Sequence, residues 1–265
     1  MNYFLFNSNI ELAKVSDEFS EIDTFFIDLE IIGKEKRQKD RNTLISYHQL
    51  NDIDNVRKYL RKTLLGVRTN PIHDKIQTEV NSCISRGADV LMLPMFKKID
   101  EIKYYLDLVN GRCAIDLLLE TPESLNLINQ IPFKDIRYIH FGINDLSIAL
   151  NYKLMFQMYL DKNLNLATDY LRMANQIFGI GGIGALGSLP ISPELIFVGS
   201  IKHGAKRLIL SRSFISKIDF NNIYFSLKNN LNSLSSLYQD LKNLPDKEIK
   251  KKFLNFSNTI EQLIK

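Results

Sequence analysis

The sequence predicts an α/β fold, a (β/α)8 TIM barrel with a C-terminal helical extension, and three observations predict it. Eight short apolar runs rich in Ile, Leu, Phe and Tyr lie at residues 3–6, 24–30, 64–68, 89–94, 114–120, 138–142, 178–184 and 207–211, and buried parallel strands read this way. Most gaps between them carry apolar residues at helical spacing, as at Ile76, Val80, Cys83 and Ile84 before the fourth run. The chain has 265 residues, 45% hydrophobic and 24% charged, which suits one barrel with a sizeable core, and no linker divides it. The rival architecture, an open doubly wound sheet, rarely needs eight such evenly spaced units.

The runs are justified in order. The opening MNYFLFNSNIELAK has no basic n-region and its apolar stretch stops after Phe6, so a first strand is expected rather than a signal peptide or membrane anchor. The second run closes on Asp28-Leu29-Glu30 and is followed by an over-long interval, residues 31–55, carrying the charge cluster Lys34-Glu35-Lys36-Arg37-Gln38-Lys39-Asp40-Arg41. That cluster is either a solvated loop or helix face, or a lid whose cations meet an anionic substrate tail. The third run ends in Arg68, ahead of Thr69-Asn70-Pro71, and the fourth in Leu93-Pro94. The fifth ends in Glu120; Thr121-Pro122-Glu123 then starts a helix, with Thr as N-cap and Pro at the first helical position. The sixth leads into Asn144-Asp145.

The seventh run, FGIGGIGALG, formally contains G-x-G-x-x-G at Gly179, Gly181 and Gly184. Its glycines fall within the strand and run into Ser188-Leu189-Pro190, a poor helix start, so it reads as a barrel strand whose backbone approaches a ligand closely rather than as a dinucleotide site. After the eighth run, residues 215–265 form an extension with two helical patterns, about residues 223–241 and 249–264, which pack on the barrel of residues 1–214 or on a neighbouring subunit.

In parallel α/β folds the carboxyl ends of the strands carry the chemistry. Glu30, Arg68, Glu120 and Asp145 all fall there. An arginine at the mouth suits bidentate capture of a substrate carboxylate and polarisation of its keto oxygen; a structural ion pair of Arg68 with Glu30 or Glu120 is the plainer alternative. The four histidines show no metal-type spacing. His140 reads as a core residue and His203 lies on a late helix, while His48 or His73, in mouth-side loops, could act as a general base. The formal charge of +4, from 34 basic and 30 acidic side chains, is too mild to argue for nucleic acid. Only Cys83 and Cys113 are present, both in segments read as buried, so neither a disulfide framework nor a Cys-type zinc site is supported and a cytoplasmic setting is expected.

Five motifs occur in order: Asp28-Leu29-Glu30, Val67-Arg68-Thr69-Asn70, the stretch GADVLMLP at residues 87–94, Leu119-Glu120-Thr121 and Phe141-Gly142-Ile143-Asn144-Asp145-Leu146-Ser147. With them the chain resembles the HpcH/HpaI aldolase and citrate lyase beta-subunit family over residues 3–214. The resemblance implies a phosphoenolpyruvate/pyruvate-type barrel that binds Mg2+ (or Mn2+) and makes or breaks a C–C bond next to the carbonyl of a keto-acid or acyl-CoA-type substrate. It also implies that Glu120 and Asp145 are metal ligands, that Arg68 holds the keto-acid oxygen, and that Asp28, Glu30 and Asn144 lie around the substrate. Family members commonly place His or Asp directly after the residue matching Glu30; here Ile31 and Ile32 follow. Either His48 or Glu30 supplies the base, or the reaction differs, or catalysis has been lost. The expectation is a metal-dependent lyase acting on a small molecule, without nucleic acid or membrane partners, and forming a homo-oligomer. The rivals are a catalytically silent barrel that binds a keto acid or scaffolds a complex, and phosphoryl transfer or hydrolysis on a phosphoenolpyruvate-like substrate.

Overall fold

The computed structural model describes residues 1–34, 48–188 and 190–265. Among these, eight parallel strands close in sequence order into a barrel: β1 (Asn2–Phe6), β2 (Ile22–Asp28), β3 (Leu64–Arg68), β4 (Val90–Leu93), β5 (Ala114–Leu119), β6 (Tyr138–Phe141), β7 (Phe178–Ile183) and β8 (Arg207–Leu210). Every expected strand is present, with ends moved by two residues or fewer. The largest change is at β2, which stops at Asp28 and leaves Glu30 in the following turn. There the Glu30 amide donates to Asp28 Oδ1 at 3.2 Å, a side-chain turn that ends the ladder.

Strand alternation divides each run between two environments. Phe4, Phe26, Val90, Met92 and Leu118 fill the barrel interior. Phe25, Ile27, Leu65, Val67, Leu91, Leu117 and Ile139 pack outward under the helices. The interior is crowded: a methyl at Gly66 would collide with the Phe26 ring, which stacks on Phe6 at 4.7 Å. The same period of two places Asp28 two residues beyond Phe26, and Glu120 two beyond Leu118, so the interior series ends in polar groups at the mouth. At the opposite end, charges plug the barrel. Arg137 binds Asp116 through Nε at 2.9 Å and Nη2 at 2.7 Å, and Arg207 pairs with Asp23 while lying 3.4 Å from the Tyr138 ring centre.

The fifth crossover starts as the sequence predicts: Thr121 Oγ1 accepts from the Ser124 amide at 3.1 Å and Pro122 opens the short helix Pro122–Asn126. The C-terminal helices Ile223–Lys242 and Asp246–Ile264 pack on the barrel's own helix Pro193–His203. Phe197 meets Tyr238 with ring centres 5.3 Å apart, and Phe256 meets Tyr159 at 5.4 Å. Among the described residues no helix is long and apolar enough to cross a membrane. Cys83 is buried and Cys113 half-buried, both as free thiols.

Candidate active site

Pairing of β2 with β3 sets Asp28 directly beside Arg68. Both point to the mouth, and the guanidinium grips the carboxylate with Nε at 2.8 Å and Nη2 at 2.6 Å, while Nη1 lies 3.2 Å from Glu30 Oε2. Burial opposes the charge on Asp28, but Arg68 and then Lys34 outweigh it and hold the carboxyl well below the usual range. Burial likewise weighs against the charge on Arg68, and Asp28 and Glu30 more than restore it. The structural ion pair is therefore made, principally to Asp28 through two hydrogen bonds and secondarily to Glu30.

Lys34 completes this cluster, and the sequence reading missed it. Its ammonium is buried 2.8 Å from Asp28 Oδ2 and 3.9 Å from Glu30 Oε2. Burial and the charge of Arg68 push its pKa down, against the pull of Asp28 and Glu30. The turn that delivers it is pinned by Asn70, whose Oδ1 accepts from the Ile31 and Ile32 amides, each at 2.9 Å. Asn70 is itself fixed by Glu79, through its backbone N at 2.7 Å and Nδ2 at 3.0 Å. Ile31 and Ile32 face solvent, so the position where a catalytic His or Asp was looked for points away from the cluster. Lys34 opens the charged run expected as solvated surface or as a lid; its own side chain lies in the interior instead, where Gly33, at φ 74°, turns the chain back. The rest of that run, including Lys36, Arg37 and Lys39 of the proposed lid, lies outside the described residues.

Two cavities meet at Arg68. The first, about 300 Å3, is lined by Arg68, Glu120, Asn144 and Asp145 together with Leu118, His140, Gly181, Gly182, Gly184, Ile143, Phe156 and Ile191. Glu120 is buried at the end of β5, and its Oε1 accepts from the Met95 amide at 3.2 Å. Gly142 makes room for it: a Cβ there would sit 2.7 Å from Glu120 Cβ and 2.9 Å from Oε2. Asp145 is half-buried in the first turn of the helix Ile143–Ala149, which starts straight after β6. The second cavity, about 580 Å3, is lined by Phe6, Asn7, Asp28, His48, Arg68, Ser211, Arg212, Ser216 and Phe220.

The expected site residues are thus divided. Arg68, Glu120, Asn144 and Asp145 converge on one cavity; Asp28 and His48 open on its neighbour, and Glu30 lines neither. His48 is poorly placed as a base. Its Nδ1 accepts the Asp28 amide at 2.9 Å, which puts the proton of the neutral ring on Nε2 and leaves no spare lone pair. Glu30 is held by Arg68 and Lys34, which leaves its carboxylate serving as their counter-ion. His73 pairs with Glu79 at 3.0 Å, away from both cavities. His140 is buried as expected, donating through Nε2 to Gly181 O at 2.9 Å, but its Nδ1 has no hydrogen-bond partner among the described residues, and burial lowers its pKa to about 4. His203 is satisfied between Thr168 and Tyr159 O.

Among the described residues no group of three or more His, Cys, Asp and Glu could hold a metal. Two carboxylates beside a cavity still fit a hard divalent ion, since Mg2+ needs only one or two of them when substrate and water complete its shell. Gly179, Gly181 and Gly182 lie within β7, Gly181, Gly182 and Gly184 line the first cavity, and the next helix starts only at Pro193, so the strand reading of this motif holds.

No family model matches the chain, and no curated protein matches it either. Among solved structures it is similar to "Crystal Structure of RipC from Yersinia pestis", at 12% identity and a TM-score of 0.57, over 94% of this chain and 98% of that one. At that identity the likeness shows the barrel fold.

Proposed function

We propose that the protein is a metal-dependent carbon–carbon lyase of the aldolase type, acting next to the carbonyl of a keto-acid or acyl-thioester substrate. One observation carries this reading: Arg68, Glu120, Asn144 and Asp145, from three separate motifs, line one cavity at the carboxyl ends of the strands. The sequence resemblance to the HpcH/HpaI and citrate lyase beta-subunit family supports the same assignment. Glu120 and Asp145 would hold Mg2+ or Mn2+, and an ion bound there supplies charge withdrawal at a keto oxygen. The chain's own residues do the rest. Arg68, fixed by Asp28 and Glu30, is a preorganised cation in the cavity wall, placed to face a substrate oxygen. Asn144 offers an amide beside it, and Leu118, Phe156 and Ile191 keep the cavity apolar, which strengthens each polar contact.

A silent barrel is the second reading, favoured by the ion pairing of Arg68 and by His48 having no lone pair to spare. Turnover separates the two. The protein with Mn2+ should release pyruvate or an acetyl unit from a panel of 4-hydroxy-2-keto acids and acyl-CoA esters, and Arg68→Met should lower kcat/KM by about a hundredfold or more. Release of phosphate from phosphoenolpyruvate in its place would redirect the assignment to phosphoryl transfer.

A further inference from the structure

The second cavity shares only Arg68 and Asp28 with the chemistry just described, and its polar lining is rich in donors. Asn7 Oδ1 accepts from the Asn9 amide at 2.8 Å, so the free end of that side chain is its NH2 donor. His48 Nδ1 accepts from the Asp28 amide at 2.9 Å, so the ring presents Nε2–H, which has no partner among the described residues. The one acidic liner, Asp28, is spent on Arg68 and Lys34. Arg212, two residues past the end of β8, forms no ion pair among the described residues. The His48 acceptor is thus consumed by a backbone amide, the Asn7 oxygen is engaged by another, and the acid is held by cations. What faces the cavity is mainly a set of donors from three segments, Asn7, His48 and Arg212, with the Arg68 guanidinium at the boundary, beside the hydroxyls of Ser211 and Ser216, which bond to Ser213.

We infer that this cavity is an oxyanion subsite for a phosphate monoester group. A planar carboxylate is satisfied by one bidentate arginine, whereas donors arriving from several segments suit a tetrahedral group with three terminal oxygens. The place fits as well, since barrels commonly bind phosphate beside the end of the eighth strand. Resting on the lyase reading for what fills the first cavity, the inference gives the substrate class as a phosphorylated hydroxy-keto acid. Its phosphate is held across Arg68 from the bond that breaks, and takes no part in bond cleavage.

Calorimetric titration of the full chain, free of divalent metal, tests this with inorganic phosphate and glycerol 3-phosphate as probes and with acetate and succinate at matched ionic strength. Saturable binding of both phosphates is expected, with the carboxylates weaker by about tenfold or more. Arg212 is exposed, so Arg212→Gln should leave the melting curve unchanged and weaken phosphate binding by about tenfold or more, whereas Glu120→Gln should alter it by less than about twofold. Absence of saturable phosphate binding, equal binding of succinate, or indifference to Arg212→Gln would overturn the inference. Because no metal or turnover is read, phosphate binding can survive failure of the lyase assay, and the reverse, so the two ideas fail separately.

Discussion

The ammonium of Lys34 is among the most deeply placed charges of the molecule, 2.8 Å from Asp28 Oδ2, although it opens a run of surface-type residues. Removing one member of a buried ionic cluster leaves its partners under-compensated, so Lys34→Met should cost on the order of 3 kcal/mol in denaturant unfolding. Adding Asp28→Asn to that variant should recover part of the loss; a purely additive pair would show that Lys34 and Asp28 are not coupled. His140 makes a prediction in pH. Burial lowers its folded pKa from 6.5 to about 4, so the unfolded chain takes up the proton first as the medium is acidified. Its contribution to stability is full above pH 6.5 and is lost as pH falls toward about 4, a span worth about 3 kcal/mol. The stability difference between the unmodified protein and His140→Gln should therefore shrink by about that amount from pH 7 to 4.5, and a constant difference would mean that His140 is not held neutral.

At the scale of single elements, β7 shows what glycine does in this barrel. A Cβ at Gly179 would collide with the His140 ring and lie 2.8 Å from the Arg207 carbonyl oxygen, so Gly179→Ala should destabilise by about 2–3 kcal/mol through overpacking. A loss below about 0.5 kcal/mol, read in the same denaturant titration, would show that β7 and β8 slide apart readily. The strands were legible because apolar runs and their polar stops need no tertiary information: β3 matches its expected span, and Thr121-Pro122 opens its helix as written. The end of β2 was not. Asp28 bonds the Glu30 amide within a local turn, but Asn70 clamps that turn from 39 residues away, a contact that no local pattern carries. The same holds for His48, whose role is decided by a backbone amide 20 positions distant. Lys34 and Arg212 escaped for a related reason, since a cation's depth and partners are properties of the fold.

Over the whole molecule, the mouth of the barrel is divided by Arg68 into a cavity with two metal-type carboxylates and a larger one lined by donors. That partition depends on Asp28 and Glu30 fixing the guanidinium, with Lys34 neutralising the same two acids, and the C-terminal helices, docked on Pro193–His203, lend support from the outside. Its central claim, that Glu120 and Asp145 bind a divalent ion together with a keto-acid-like ligand, is open to direct measurement. A ligand that binds only the folded state at about a hundredfold excess over its Kd stabilises by about 2.7 kcal/mol. Millimolar Mn2+ with oxalate should therefore raise the melting temperature of the unmodified protein, and Glu120→Gln or Asp145→Asn should abolish the rise. An unmodified protein whose melting temperature ignores Mn2+ and oxalate, or variants that keep the full rise, would contradict the account.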